Sequence, residues 1–326
     1  MRDEVSTAMK CGANLRNWAA RAGIAALAAA APLGTAMAAQ PKPWEMTFQP
    51  AATDIMASVT WFGNYTFVIM TLIVIMVMAL LGYCMWRFSE RSNPVPSKTS
   101  HNTLIEVVWT VLPVLILVAI AVPSFRLLFF QTTIPEADLT VKATGYQWYW
   151  GYTYPDEEYE GIDFTSYILQ GDDLTAFREK HNLTEKEAPR LLAVDVDMVV
   201  PVNKIVRMQI TSGDVIHSFA MPAFGIKIDA LPGRLNETWF QAEKTGLYYG
   251  QCSELCGQSH AFMPIAIRVV EEDQFKQWAE AAKEDIQKAN DMVLAWQVED
   301  RRKLAAQNEA SEQKVAVAES AGAAAE

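Results

Sequence analysis

The residues with the most distinctive chemistry lie in one short stretch that ends at Met263 and reads YYGQCSELCGQSHAFM. Two thiols, an imidazole and a thioether are soft ligands, which favour copper or iron–sulfur over calcium or magnesium, and imidazole suits copper and zinc. The chain has four histidines, and a second one lies upstream in GDVIHSFAMP, so the two together suggest one site. The candidate ligands are His217, Cys252, Glu254, Cys256, His260 and Met263.

Three kinds of site could use these residues. In an oxidising compartment Cys252 and Cys256 could form a disulfide, and two Cys with two His could hold zinc in a tetrahedral site. Neither of these sites explains Met263. Two copper ions bridged by both cysteines, each completed by one histidine and one weak axial donor, would use every group. The sequence therefore favours copper.

The elements that carry this stretch begin with two apolar segments. Half of the residues are hydrophobic, yet the mean hydropathy is only +0.06, so the apolar residues must be concentrated. No charged residue occurs from Ile55 to Trp86 or from Val107 to Phe125, and about 20 apolar residues suffice to cross a bilayer. The intervening Arg87, Arg91 and Lys98 predict that the connecting loop faces the cytoplasm.

The ends of the chain are expected to differ from the parts between them. Residues 1–38 have the basic, apolar and small-residue pattern of a secretory signal peptide. We expect a periplasmic segment over 39–54, a transmembrane hairpin over 55–130 and a domain over 131–271. Residues 272–326 are expected to form an amphipathic helix followed by a disordered tail, because apolar residues recur at helical spacing only at its start.

Short β-rich runs fill the domain that follows the hairpin. Several such runs with turn residues between them predict a sandwich or barrel, and a Greek-key cupredoxin barrel would carry copper ligands on loops at one end. The fold class is therefore a membrane-anchored all-β protein. Residues 156–190 are acidic and helix-compatible, which predicts a surface excursion with a solvated His181. The clearest strand runs are Leu139–Thr144, Lys204–Thr211, Glu237–Gln241 and Ile265–Val270.

An aromatic run and an acidic surface remain. From Tyr146 to Trp150 there are four aromatics in five positions. Strand alternation would put Tyr146, Trp148 and Trp150 on one face, where they could serve packing or a contact site.

From Gln131 onward there are 18 Lys and Arg against 32 Asp and Glu. A net charge of −14 there disfavours nucleic acid and favours a basic partner.

The runs GLYYGQCSELCGQSHAFMPI, DALPGRLNET and GYQWYWGY resemble cytochrome c oxidase subunit II, over about residues 55 to 271. The resemblance implies a subunit of a bacterial inner-membrane oxidoreductase and translocase, with the N-terminus and the C-terminal domain in the periplasm. It implies that electrons pass from cytochrome c to a dinuclear copper (CuA) centre and on to the haem of subunit I. Oxygen reduction and proton translocation would follow there.

The resemblance also implies residue roles. His217, Cys252, Cys256, His260 and Met263 would be copper ligands. The Glu254 carbonyl would be the remaining axial donor, and its side chain would reach magnesium at the boundary with subunit I, which is reasonable for a hard cation.

Other roles concern electrons, protons and docking. Trp148 would be the point of electron entry, and Glu106, before Trp109 in EVVWT, would open a proton path into subunit I. From position alone, Glu106 could equally be a carboxylate that reaches interfacial water. The acids expected to dock cytochrome c are Asp214, Asp156, Glu157 and Glu158. Where some relatives have an acid, this chain has Thr153, so the docking patch is not laid out identically.

Three rival classes fit less of the sequence. A quinol oxidase subunit II would share the hairpin and barrel but lack the copper ligands. A membrane-tethered periplasmic copper chaperone would need a thioredoxin-like βαβ pattern, whereas residues 191–270 predict strands without helices. A structural assembly protein would leave the soft ligands without a purpose.

Overall fold

A computed structural model describes residues 39–323, without the side chains of residue 310 and residues 312–323. The signal peptide expected over residues 1–38 lies outside the described residues. Within the described part, two long helices precede a β domain, and two further helices follow it.

Helices α1 (Asp54–Arg87) and α2 (Thr103–Thr132) have 34 and 30 residues. At about 1.5 Å per residue each exceeds the roughly 30 Å hydrocarbon thickness of a bilayer. Side-chain oxygens of Thr53 and Asn102 accept hydrogen bonds from the first turns and cap the two helices. Large apolar side chains are exposed along both helices, and both are long and apolar enough to cross a membrane. The two predicted spans are confirmed.

The β domain consists of two five-stranded sheets. The strands are β1 (Leu139–Tyr146), β2 (Tyr149–Thr153), β3 (Asp163–Ser166), β4 (Met198–Pro201), β5 (Ile205–Ser212), β6 (His217–Met221), β7 (Ile226–Ala230), β8 (Asn236–Gln241), β9 (Gly246–Cys252) and β10 (Pro264–Val270). The first sheet has the order β3-β2-β1-β5-β8 and the second the order β4-β10-β9-β6-β7. β1 pairs parallel with β5, and β4 pairs parallel with β10. The predicted strand runs all lie within or largely overlap these strands.

Period-two burial explains how the first sheet covers the core. Residues of β1 and β5 alternate between buried and half-buried positions along their length, as expected of strands with one face inward. β10 is buried on both faces, because alternate residues lie in the main core and Ala266 packs with Val194, Leu247 and Tyr249. Helices α4 (Glu272–Glu284) and α5 (Ile286–Ala323) follow it, and α4 packs on the main core. The largest fully buried side chains include Trp150, Tyr152, Phe219, Phe240 and Trp278.

The membrane helices are tied directly to the barrel. Ala52 donates its backbone N–H to the carbonyl of Ala223 at 3.0 Å, and Thr53 donates its hydroxyl to the carbonyl of Phe224 at 2.8 Å. Phe130, near the end of α2, packs edge-on against Trp239 of β8 with ring centroids 5.5 Å apart. The membrane helices and the β domain therefore share both hydrogen bonds and an aromatic contact.

Residues 156–190 are only partly the surface excursion that the sequence suggested. Asp163–Ser166 pair with β2 as the edge strand of the first sheet, and α3 (Gly171–His181) packs beside α5. The expectation of a solvated His181 is wrong: its side chain is 9 % exposed and its ring lies 4.7 Å from that of Phe177. A carboxylate oxygen of Asp291, which is distant in sequence on α5, lies 3.6 Å from His181 Nε2.

The C-terminal region also differs from the expectation. Instead of one helix and a disordered tail, α5 continues as helix through Ala323. The tail is rich in Ala, Glu, Gln and Lys, which are all strong helix formers.

Candidate metal centre

The predicted ligands lie on three connected elements at one end of the second sheet. His217 is the first residue of β6, and Cys252 is the last residue of β9. These strands pair antiparallel, with Phe219 opposite Cys252. The segment between β9 and β10, residues 253–263, carries the other donors and is called the ligand loop below.

The structure brings all the sulfur and imidazole donors together. The Cys252 and Cys256 sulfurs are 3.9 Å apart, so no S–S bond joins them. His217 Nδ1 lies 3.9 Å from Cys252 Sγ, and His260 Nδ1 lies 3.5 Å from Cys256 Sγ. Met263 Sδ lies 3.5 Å from Cys256 Sγ. Each thiol therefore has its own imidazole.

The separations suit metal binding. With metal–sulfur bonds of about 2.3 Å, two sulfurs that share an ion can be at most about 4.6 Å apart, and 3.9 Å is within that limit. The donor atoms of His217, Cys252 and Cys256 lie within 4.8 Å of one another. His260 lies beside Cys256. The two thiols and two imidazoles together supply enough donors to hold two copper ions.

Glu254 and Met263 supply the two weaker donors of the set. The Glu254 carbonyl oxygen is 3.3 Å from Cys252 Sγ, while its side chain is exposed. Met263 is 1 % exposed, so its thioether faces the site interior. Trp150 donates its indole N–H to the Met263 carbonyl at 3.3 Å and so holds the end of the ligand loop.

The two thiols differ in acidity. Burial raises the pKa of Cys252, but hydrogen bonds with His217 and the Glu254 and Ser218 backbones outweigh it and lower that pKa to about 7. Burial and the nearby Cys252 charge raise the pKa of Cys256 to about 12. The metal-free site thus tends to keep one proton on sulfur, and a metal that binds both thiolates must displace it.

Asp214 fixes the orientation of His217. Its Oδ1 lies 2.8 Å from His217 Nε2, and Val215 donates its backbone N–H to the same oxygen at 2.6 Å. Burial opposes ionisation, but hydrogen bonds from His217, Gln147 and Val215 lower the pKa of Asp214 below its ordinary value. With Nε2 held by the carboxylate, Nδ1 is directed toward Cys252. A carboxylate in this position is common behind a metal-binding histidine.

The aromatic run is divided by a turn, so the expectation that three of its aromatics share one face is wrong. β1 ends at Tyr146 and β2 begins at Tyr149. Trp150 is fully buried in the core, whereas the Tyr146 ring stacks on Tyr149 at 4.9 Å on the outer surface. Trp148 is half-buried in the turn of the hairpin formed by β1 and β2, which is called the hairpin tip below.

Trp148 packs against the ligand loop. A Cβ added at Gly257 would lie 3.0 Å from Trp148 Cζ2 and 3.0 Å from Gln147 Nε2, so the hairpin tip touches the loop backbone. Sequence reasoning missed Gln147, whose side chain donates to the Cys256 carbonyl at 2.8 Å. Its only sequence signal is one polar residue within an aromatic run.

The acids expected to dock a partner do not form one patch. Asp214 lies at the metal site, but Asp156 accepts a hydrogen bond from the Thr140 backbone at the start of β1. Six strand residues separate Thr140 from the hairpin tip, about 20 Å at 3.3 Å per residue. The expectation that Asp156, Glu157 and Glu158 extend the Asp214 patch is therefore wrong.

Glu106 lies in the first turn of α2, whereas the predicted metal ligands lie in the β domain. It is half-buried, and its Oε1 accepts a hydrogen bond from the Asn102 backbone N–H at 3.3 Å. A carboxylate there also interacts favourably with the helix dipole.

Comparison with known proteins decides the family. A family model described as the periplasmic domain of cytochrome c oxidase subunit II matches residues 139–270, and one described as its transmembrane domain matches residues 41–127. The chain belongs to the cytochrome c oxidase subunit II family. The resemblance and the cupredoxin-like fold inferred from the sequence are confirmed, and the chain is a component of an oxidase with two membrane spans.

Individual relatives agree. The protein named "Probable cytochrome c oxidase subunit 2" of Rickettsia felis is 52 % identical over 241 residues, which are 74 % of this chain and 73 % of that protein. Cytochrome c oxidase subunit 2 of Cereibacter sphaeroides is 48 % identical over 252 residues, 75 % of this chain and 82 % of that protein.

A solved structure is also similar to this chain. It is the periplasmic domain of subunit II of cytochrome oxidase from Bradyrhizobium japonicum, at 57 % identity and a TM-score of 0.41. The match covers 47 % of this chain and 99 % of that one.

Proposed function

We propose that this subunit accepts electrons from cytochrome c at a dinuclear copper centre and delivers them to the haem of subunit I. The observation that carries the proposal is the pairing of two thiols with two separate imidazoles: His217 beside Cys252, and His260 beside Cys256. Oxygen reduction and proton translocation then belong to the assembled oxidase. A membrane-tethered copper chaperone is the alternative function.

The ligand set supports an electron carrier because burial and hydrogen bonds hold its ligands in place. His217 is fully buried and held by Asp214, and Met263 is held through its carbonyl by Trp150. A bound copper pair would supply one-electron redox chemistry, and Cys252 and Cys256 would hold it together with His217, His260 and Met263. A site whose ligands move little on reduction needs little reorganisation, and the weak donors Met263 and the Glu254 carbonyl would tune its potential.

Trp148 is proposed as the point of electron entry. Its indole reaches from the hairpin tip to the ligand loop at Gly257, next to Cys256. The same ring is half-exposed, so a docked cytochrome could touch one side while the loop touches the other. Asp214 at the site and the −14 net charge beyond Gln131 would attract a basic cytochrome.

Two further roles are proposed at subunit boundaries. The exposed Glu254 side chain would help bind magnesium at the contact with subunit I, and carboxylates are suitable magnesium ligands. Glu106 would stand at the entrance of a proton path into subunit I. Its position at the end of a membrane span is typical of functional carboxylates, although its bond to Asn102 could also be a simple cap.

The orientation follows from the loop charges. Arg87, Arg91 and Lys98 favour a cytoplasmic loop between the spans, which would leave both the N-terminus and the β domain in the periplasm of a bacterial inner membrane. Cleavage of the signal peptide after Ala38 would then start the mature chain at Ala39. The domain boundaries proposed from the sequence, 39–54, 55–130, 131–271 and 272–326, are consistent with this arrangement.

The test is copper loading of the full chain in detergent. We expect two coppers per chain and an EPR signal from one electron shared equally by both. Cys256→Ser should abolish this signal, because a hydroxyl is a poor bridging donor. Cys84→Ser, which removes the exposed cysteine of α1, is the matched control and should keep the signal. A single-copper signal in the unmodified chain would favour the chaperone.

A further inference from the structure

Gln147 contacts both halves of the metal site. Its side-chain Nε2 donates to the carbonyl of Cys256 at 2.8 Å, and its backbone N–H donates to Asp214 Oδ2 at 2.7 Å. The first bond reaches the ligand loop, and the second reaches the segment before β6. Gln147 itself belongs to neither segment, since it lies at the tip of the β1–β2 hairpin.

The second bond continues to a ligand. Asp214 uses its other oxygen for His217 Nε2 at 2.8 Å, and His217 Nδ1 faces Cys252. A continuous set of contacts therefore runs from Cys256 through Gln147 and Asp214 to His217. It links the ligand loop to His217 through two residues, Gln147 and Asp214, that are not predicted ligands.

The fit between the hairpin tip and the ligand loop is close. The Gly257 backbone has φ +124°, a region that side chains rarely adopt, and a Cβ there would meet Gln147 and Trp148 at 3.0 Å. A buried Gly145 beneath His217 leaves similarly little room, because its added Cβ would lie 2.9 Å from the imidazole ring. The β1–β2 hairpin thus packs closely against both the ligand loop and His217.

We propose that Gln147 is a positioning residue that locks the hairpin tip, the ligand loop and the Asp214–His217 pair into one unit before copper binds. This inference rests on the proposed function, because the lock would serve to keep a constant distance between Trp148 and the thiolates of Cys252 and Cys256. A residue that merely capped the Cys256 carbonyl would stabilise the loop without affecting His217.

The first measurement is hydrogen–deuterium exchange of the ligand loop in the metal-free full chain. Gln147→Ala removes one hydrogen bond, so exchange over residues 253–263 should become about five-fold faster. Gln147→Asn keeps the amide but shortens its reach and should behave similarly. Gln170→Ala is the matched control. Gln170 lines a surface cleft together with Gln147 and Ser259 of the ligand loop, and its side chain makes no capping bond to the helix that follows it.

The second measurement is the EPR spectrum of the copper-loaded variants. A positioning role predicts altered hyperfine couplings of His217 as well as of the Cys256 side in Gln147→Ala, with copper content unchanged. Unchanged loop exchange in Gln147→Ala, equal effects in Gln170→Ala, or couplings altered only at Cys256 would each overturn the inference. If the unmodified chain takes up no copper, the proposed function fails, while the exchange measurement still decides whether Gln147 holds the loop.

Discussion

Asp214 is the residue whose role changes most between sequence and structure. The resemblance of the chain to its family suggested that Asp214 is a docking acid. Both of its carboxylate oxygens form hydrogen bonds, however: one with Gln147 and the other with Val215 and His217. Only 31 % of the side chain is exposed. Its first effect should therefore be on the histidine, and any effect on docking should be secondary.

Asp214→Asn should weaken copper binding by about 10- to 100-fold, the usual cost of losing a partner behind a metal-binding histidine. Competition with a copper chelator measures it. Asp229→Asn is the matched control, because it removes the same charge at an exposed position of β7. If Asp214→Asn kept its copper affinity and only reduced the rate with cytochrome c, docking would be its main role.

The hairpin tip is the element on which the proposed electron entry at Trp148 depends. Gly257 and Gly161 both have positive φ, but only at Gly257 would a Cβ meet the tip residues. Alanine at either position should cost about 1–3 kcal/mol of stability through backbone strain. Only Gly257→Ala should also shift the copper absorption bands and slow reduction by cytochrome c. Equal spectra for the two variants would mean that the contact with Trp148 has no electronic consequence.

Arg268 forms a buried ion pair with Asp197 and also contacts the C-terminal helix. Arg268 of β10 contacts Asp197 through Nε at 2.8 Å and Nη2 at 2.6 Å, and its Nη1 donates to Gln297 of α5 at 2.8 Å. Both charged side chains are almost fully buried. Each therefore depends on the other to compensate for the loss of water.

Asp197→Ala should destabilise the fold by about 3–5 kcal/mol, because it leaves the Arg268 charge buried without a partner. Thermal unfolding of the full chain in detergent, followed by near-ultraviolet circular dichroism, measures the loss. The double variant Asp197→Leu with Arg268→Met should recover much of it, since neither charge remains. Lys303→Ala, at an exposed pair of α5, should leave the transition unchanged. If the double variant were no more stable than Asp197→Ala, the loss of stability would be due to packing and not to the unpaired charge.

At the scale of the whole molecule, acidity is spread over the residues that follow the membrane spans and is not concentrated at the metal site. Asp156, Glu157 and Glu158 lie about 20 Å along the hairpin from Trp148, which is beyond the Debye length of about 8 Å at physiological salt. Their charge should contribute little to steering a cytochrome toward the tip.

The combined variant Asp156→Asn, Glu157→Gln and Glu158→Gln should therefore keep the ionic-strength dependence of the second-order rate with cytochrome c. Glu254→Gln, which removes one exposed charge from the ligand loop, should flatten the dependence more than the three distant changes together. The measurement is stopped-flow reduction between low and high salt. A flatter slope in the triple variant alone would move the docking face to the other end of the barrel.

The sequence alone determined what depends on residue type and local spacing. The thiols, imidazoles and thioether had to be close because a short loop carries most of them, and the chemistry of those donors selects copper. The absence of charge in two long segments determined the spans, and period-two alternation identified strands such as β1 and β5.

Only the tertiary structure decided what depends on distant partners. A turn inside the aromatic run sent Trp150 into the core and Trp148 to the surface, which alternation along one strand could not reveal. His181 is covered by Phe177 and by α5, and Asp156 is carried to the far end of the hairpin. The contacts of Gln147 with Cys256 and Asp214 join residues 109 and 67 positions away. Burial and hydrogen bonding across such separations arise from packing, which local sequence patterns do not encode.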